Sequence, residues 1–450
     1  MTLDSDGQTI KRIRAQNFKG FKELDINLKR LNVLIGANAA GKTTFVEILR
    51  FVRDIATQGL DNAISLQGGV KYLRNLNIAA AADLRVSLTI GQPTTWRFFN
   101  HDHAHRDTYF QALAEEVEHT LTLRFKTRGL GYEVMEDRMD ARVTWSQRSR
   151  GHSKQSILFA KHEEERPAAG APALKSSAAG SLALKSINGK ISCELDIPAS
   201  LNLQSTDVIP PYLSEARIPK GTILAFSPAA YYLLPTLRKP PFAPLEIGIY
   251  DFDPKLPKRA AQITGKADLE EDGRNLALVL KEVRRDRHKW RKLNNLLLDL
   301  LPFVQDIDVE SFADKSLLFK VKERYFKQDH YLPASSVSDG TINIAALILA
   351  LYFEEKWPIV IEEPERNIHA SLIAKVVELI KEAARNRQVI ITTHNPEIVK
   401  HAGVEALVLL SRSSDGFCTA TRATESAQVR NFLKNEIGID ELYVGNLLQA

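Results

Sequence analysis

Residues 36–43 read Gly36-Ala37-Asn38-Ala39-Ala40-Gly41-Lys42-Thr43, with a second threonine at Thr44. Two glycines flanking four residues, then lysine and a hydroxyl, form the pattern of a phosphate-binding P-loop. The pattern constrains the fold because it operates between a strand and a helix. Leu31-Asn32-Val33-Leu34-Ile35 before it is a short apolar run. After it, Phe45, Ile48, Leu49, Val52 and Ile55 share one helical face. Glycines let the backbone wrap a phosphate. Backbone N–H groups and the positive end of the helix dipole then face the anion. Residues 36–44 are the candidate nucleotide-binding segment. Lys42 is expected to reach the β- and γ-phosphates, and the Thr43 hydroxyl to ligate magnesium.

A chain of 450 residues has room for two or three domains. Its net charge of +5 permits a nucleic-acid partner without requiring one. Two cysteines, Cys193 and Cys418, exclude a disulfide framework and a four-cysteine zinc site. The segment Met1 to Arg12 is polar, unlike a signal peptide. The longest apolar stretch, Ile342 to Phe353, is too short to span a bilayer. The expectation is a cytoplasmic protein without a membrane partner.

Three strands are expected over 9–35, with alternation at Leu24 to Leu28. Alternation returns at Leu84 to Leu88, Leu121 to Phe125 and Ala141 to Trp145, which suggests an antiparallel meander. Residues 166–186, rich in Ala, Gly, Ser and Pro, read as a mobile loop or linker. A helix is expected from Asn275, as its cap, to Leu301. Its basic middle, Arg284 to Lys292, is either a solvated face or a phosphate-contacting surface. From Ile342 onward, helices alternate with the apolar strands Trp357 to Ile361, Gln388 to Thr393 and Val404 to Leu410. That alternation argues for a largely parallel sheet shared with the P-loop strand.

Ile359-Val360-Ile361-Glu362-Glu363 is an apolar strand ending in two carboxylates, the form of a Walker B element. Alone, it is equally a strand running into an acidic turn. Beside a P-loop, Glu362 is expected to hold magnesium, and Glu363 to polarise the attacking water. His394 follows Ile390 to Thr393 at another strand end, where it can sense or stabilise the γ-phosphate. Ser338-Asp339-Gly340-Thr341 opens a helix; an anion site and a plain N-cap both fit.

Together these residues resemble the ABC-type ATPases of the RecF, SMC and OLD (overcoming lysogenisation defect) group. Asn17 to Phe21 looks like their opening strand motif, and Val337 to Thr341 like their signature motif. Glu362-Glu363-Pro364-Glu365 resembles the Walker B and following loop of the OLD-like branch, and Thr392 to Pro396 its switch histidine. Gln67, before Gly68 and Gly69, resembles the Q-loop glutamine, a further magnesium ligand. The resemblance covers roughly residues 9–90 and 230–450. It implies an α/β P-loop NTPase of ABC-ATPase type, with a mixed central sheet and an antiparallel N-terminal meander. A long insertion would separate the P-loop from the signature. The implied divisions are 1–95 with the P-loop, the insertion at 96–230, a helical part at 231–330, and 331–450 with the signature, Walker B and histidine.

The resemblance also implies ATP and Mg2+ as cofactors. Two protomers would sandwich two ATP molecules, with Ser338 and Gly340 of one facing the P-loop of the other. Lys42, Glu363 and His394 would be catalytic. A compact chain without a recognisable nuclease domain looks like the ATPase component of a bacterial anti-phage system, acting through a nuclease or toxin on another chain. A RecF-like repair ATPase that binds DNA through the basic segment is the alternative. A third reading, a nuclease, rests on His101-Asp102-His103-Ala104-His105, whose residue types include metal ligands but equally suit a solvated loop.

Overall fold

The computed structural model describes residues 9–78, 82–99, 108–126, 131–149, 174–187, 189–209, 217–219, 223–224, 247–263, 268–312, 315–326, 330–426 and 429. The His101 to His105 run lies outside them. The chain divides into two compact units, one of Met1–Arg53 with Leu245–Ala450 and the other of Asp54–Pro244.

The first unit begins with β1 (Thr9–Phe18), β2 (Phe21–Asn27) and β3 (Leu31–Ile35), and α1 (Lys42–Gln58) follows the P-loop. β1 and β2 pair antiparallel. On α1, Phe45, Ile48, Leu49 and Ile55 are buried, so the apolar stripe seen in the sequence is its packed face.

The second unit holds the short helices α2 (Leu60–Leu66) and α3 (Val70–Leu73). Five strands follow: β4 (Leu84–Phe99), β5 (Thr108–Phe125), β6 (Tyr132–Ser149), β7 (Leu174–Ile187) and β8 (Lys190–Asp196). Consecutive strands pair antiparallel. Each five-residue alternating run lies within a strand of 16 or 18 residues. Trp145 is fully buried, packs over Gly180, and donates its ring N–H to the Asp196 carbonyl at 3.2 Å. His119 Nε2 and Asp137 Oδ1 pair at 2.7 Å in the same interior. Residues 174–186 are therefore strand, not loop. Their small side chains suit the space beneath Trp145, and Leu182, Ala183 and Leu184 are buried. Residues 166–173 lie outside the described set.

The first unit resumes with β9 (Gly248–Tyr250) and β10 (Ala261–Gln262). Next come α4 (Leu276–Arg285), α5 (Arg287–Leu300), β11 (Val304–Phe312), β12 (Ser316–Glu323) and β13 (Leu332–Pro333). Then follow α6 (Asp339–Tyr352), β14 (Ile359–Glu362), α7 (Ala370–Asn386), β15 (Val389–Thr393), α8 (Pro396–Ala402), β16 (Leu407–Arg412) and β17 (Cys418–Arg422). The strand order in this unit is β1-β2-β17-β16-β3-β15-β14-β9. From β16 to β9 every pairing is parallel. β10 to β13 form a separate small antiparallel sheet.

The helix expected from Asn275 to Leu301 is two helices. Asp286 breaks it and caps α5, accepting the N–H groups of His288 at 2.8 Å and Lys289 at 3.1 Å. Asn275 does not cap through its side chain. Its amide instead accepts from Glu270 N–H at 2.9 Å and donates to the Asp268 carbonyl at 2.7 Å. The strand expected from Val404 begins only at Leu407, after a 3-10 turn at Val404–Ala406.

α6 is buried on all sides from Thr341 to Leu351, which explains why its sequence is apolar without a polar face. Burying each Leu or Ile there contributes about 1.5–3 kcal/mol. No helix among the described residues is long and apolar enough to cross a membrane. Polar staples fix the sheet's register. Gln388, fully buried before β15, accepts from Ile10 N–H at 2.9 Å and donates to the carbonyls of Ile10 at 2.8 Å and Lys29 at 2.9 Å. Arg422 on β17, also buried, donates to Asn32 Oδ1 at 3.0 Å, tying β17 to β3.

Candidate functional site

Parallel strands β3, β15, β14 and β9 run side by side, so their carboxyl ends open on one edge of the sheet. That edge is where open α/β sheets receive ligands. β3 ends in the P-loop, β15 in His394, β14 in Glu362 and Glu363, and β9 in Asp251. Four segments far apart in sequence thus deliver their polar residues to one place.

The P-loop turns tightly, with Ala40 N–H donating to the Ala37 carbonyl at 3.2 Å. Gly41 has φ +104°, which a side chain would strain. A Cβ there would also lie 2.8 Å from Cys418 Sγ. Cys418, buried on β17, therefore backs the loop. Ala37, Asn38, Ala39 and Thr43 are exposed, while Gly36 and Ala40 are buried. Lys42 Nζ donates to the carbonyls of Gly36 at 2.7 Å and Ala37 at 3.1 Å. Burial pulls the Lys42 ammonium below the usual lysine range, against the opposing pull of Glu363 and Glu365. A half-buried cation in a loop of backbone N–H groups fits an anionic phosphate.

The two carboxylates differ in environment. Glu362 is pushed up to about 7, by burial first and then by the negative charge of Asp251, with Arg50 opposing. Arg50 on α1 approaches Glu362 at 3.8 Å and also pairs with Glu271. Glu363 goes the other way. Burial raises it, but hydrogen bonds and charge from Arg366 and His394 outweigh that and leave it below the usual range. His394 Nδ1 lies 2.9 Å from Glu363 Oε1, and Arg366 Nη2 donates to Glu363 Oε2 at 3.2 Å. The backbone at Glu363 is left-handed, with φ +47°. Such a residue costs on the order of 1–3 kcal/mol and persists only when held. The hold is Thr392, whose carbonyl accepts the Glu363 N–H at 3.0 Å and whose hydroxyl oxygen accepts it at 3.3 Å.

Glu365 is buried beneath them. Its Oε1 accepts the Thr393 hydroxyl, which itself accepts the Asn395 N–H at 2.9 Å. Its Oε2 is buried without a hydrogen-bond partner, and burial raises its carboxyl. This relay fixes the turn carrying His394.

Ser338 caps α6, its Oγ accepting the Thr341 N–H at 3.2 Å and pairing with the Thr341 hydroxyl at 2.8 Å. A Cβ at Gly340 would sit 2.6 Å from the Asn367 carbonyl, so this turn packs directly against the loop after β14. Thr44 is partly buried near Gly20. Gln67 ends α2 in the second unit and is buried.

Thr43 and Glu362 are a hydroxyl and one carboxylate. Among the described residues no cluster of three or more His, Cys, Asp or Glu could hold a metal. That donor set suits magnesium, which is commonly bound by one or two protein ligands together with phosphate oxygens and water. Were Glu362 to hold it, the carboxyl, raised to about 7, would have to ionise. Mg·ATP binding at pH 6.5 is therefore expected to release protons, measurable by calorimetry in buffers of different ionisation enthalpy. The release should vanish in Glu362→Gln. In the metal-free chain the sign reverses: Glu362 favours folding fully below about pH 4.5, and that contribution is lost as pH rises through about 7.

Asp251, Arg366 and Arg50 were not singled out by the sequence. Asp251 follows a three-residue strand without a recognisable pattern, and Arg366 reads as part of an acidic turn.

Two family models match the chain. Residues 9–132 match "AAA ATPase domain" and residues 225–400 match "AAA domain, putative AbiEii toxin, Type IV TA system". No curated protein matches significantly. Among solved structures, the chain is similar to an SMC head bound to the C-winged helix domain of ScpA, at 12% identity and TM-score 0.44, covering 92% of this chain and 97% of that one. It is also similar to an Smc head with an extended coiled coil, bound to the C-terminal domain of ScpA derived from Pyrococcus furiosus. There the identity is 12% and the TM-score 0.42, over 95% of this chain and 100% of that one. The SMC head from Thermotoga maritima gives 11% identity and TM-score 0.39, over 92% and 98%.

Proposed function

We propose that the chain binds and hydrolyses Mg·ATP and acts as an ABC-type switch in bacterial anti-phage defence, controlling a nuclease or toxin on another chain. The observation that carries this is the shared edge, where the P-loop, the Glu362–Glu363 pair and His394 meet at the ends of parallel strands. Bound Mg·ATP would supply the γ-phosphoryl group and the divalent charge. Lys42 and the P-loop N–H groups would hold its phosphates, and Thr43 and Glu362 its metal. Glu363, ionised and hydrogen-bonded to His394, would orient the attacking water. The defence role leans on the AbiEii-type model matched at 225–400.

A second reading has its own observation. On α5, Arg287, His288, Lys289 and Arg291 are exposed, while Arg284 pairs with Asp308 and Arg285 with Glu282. Exposed basic side chains along one helix suit the phosphates of duplex DNA.

The test is to purify Glu363→Gln from its native host with Mg·ATP and identify what is retained. A stoichiometric protein partner is expected. Duplex DNA alone, released steeply by salt, would favour the repair reading instead.

A further inference from the structure

Arg366 has no assigned part in the site, yet its guanidinium reaches both Glu363 and the residues after β9. Its Nη1 donates to Asp251 Oδ1 at 2.7 Å and to the Phe252 carbonyl at 3.3 Å, while its Nη2 donates to Glu363 Oε2 at 3.2 Å. Asp251 and Phe252 follow β9, and Arg366 follows β14, the neighbouring parallel strand. The planar guanidinium thus spans two strand ends, one nitrogen anchored and the other presented. On its opposite oxygen Glu363 meets His394. Its carboxylate is gripped from both sides while its backbone holds a left-handed conformation.

We propose that Arg366 is a positioning residue for Glu363, and that Asp251 anchors it, so that this pair sets the orientation of the carboxylate that turns over ATP. This rests on the ATPase reading above. A carboxylate that directs water must keep one orientation, because small displacements of such groups cost large factors in rate. A fork with two donating ends can hold it there. A lysine, with a single ammonium on a flexible stem, cannot span Asp251 and Glu363 in the same way.

The test pairs kinetics with a structure. Arg366→Met is expected to lower kcat at least ~10-fold, with KM for ATP within about twofold of wild type, because the residue touches the water-directing group and not the nucleotide. Arg366→Lys should not restore the rate. In a Glu363→Gln background, Arg366→Met should change the residual rate less than ~2-fold, since the group it positions is already gone. Asp251→Asn, a milder change, should lower kcat in the same direction and serves if Arg366→Met fails to fold. Wild-type kcat in both single variants, or equal losses in both backgrounds, would overturn the proposal. A crystal structure of nucleotide-free Arg366→Met needs no turnover. There the Glu363 carboxylate should leave its contact with His394; if it stays, the clamp is wrong whatever the rates. An inactive wild type with a displaced Glu363 in the variant would sink the ATPase reading and leave the clamp standing.

Discussion

Glu363→Gln is expected to bind Mg·ATP about as tightly as wild type and to hydrolyse it at least ~100-fold more slowly. The substitution keeps size and one acceptor oxygen, so the turn after β14 should persist. It removes the negative charge that Arg366 and His394 maintain. Those two contacts hold Glu363 as a carboxylate despite its burial, which is the form needed to polarise water. Steady-state turnover and direct nucleotide binding check the two halves separately. A rate within a few-fold of wild type would mean that another group directs the water.

The second large effect is expected from Ser338→Arg. The variant should still bind nucleotide but lose both ATP-driven association and hydrolysis. Ser338 is exposed at the start of α6 and spends its hydroxyl on the cap. Losing that cap costs on the order of 1 kcal/mol, too little to unfold a unit with so large a core. A bulky cation would instead block an approach by another protomer's nucleotide. Sedimentation with and without Mg·ATP reads association, and a melting curve checks the fold. Intact association and turnover would contradict the sandwich.

Much of the candidate site could be read from the sequence because its residues lie in short contiguous runs. Gly36 to Thr43, Ile359 to Glu363 and Ile390 to His394 each couple an apolar strand to polar residues at its end, so pattern and position coincide. Strands β3, β14 and β15 lie where those runs are. What the sequence did not disclose is relational. Asp251 matters only because β9 is the parallel neighbour of β14, and a three-residue strand leaves no periodicity to detect. Arg366 joins the site through hydrogen bonds to Asp251 and Glu363 that no contiguous run announces. The loop expected at 166–186 shows the opposite error. Ala, Gly and Ser suggested a linker, yet Ala178 and Gly180 lie in a strand against Trp145. In the helix expected from Asn275, nothing in the apolar periodicity marks Asp286 as the residue whose side chain caps α5.

The most direct test of the switch is sedimentation of Glu363→Gln with and without Mg·ATP. With nucleotide bound and hydrolysis blocked, a monomer without ATP should become a dimer with it, and Lys42→Ala in the same background should abolish the change. A chain that binds Mg·ATP but shows the same mass with and without it would contradict the account.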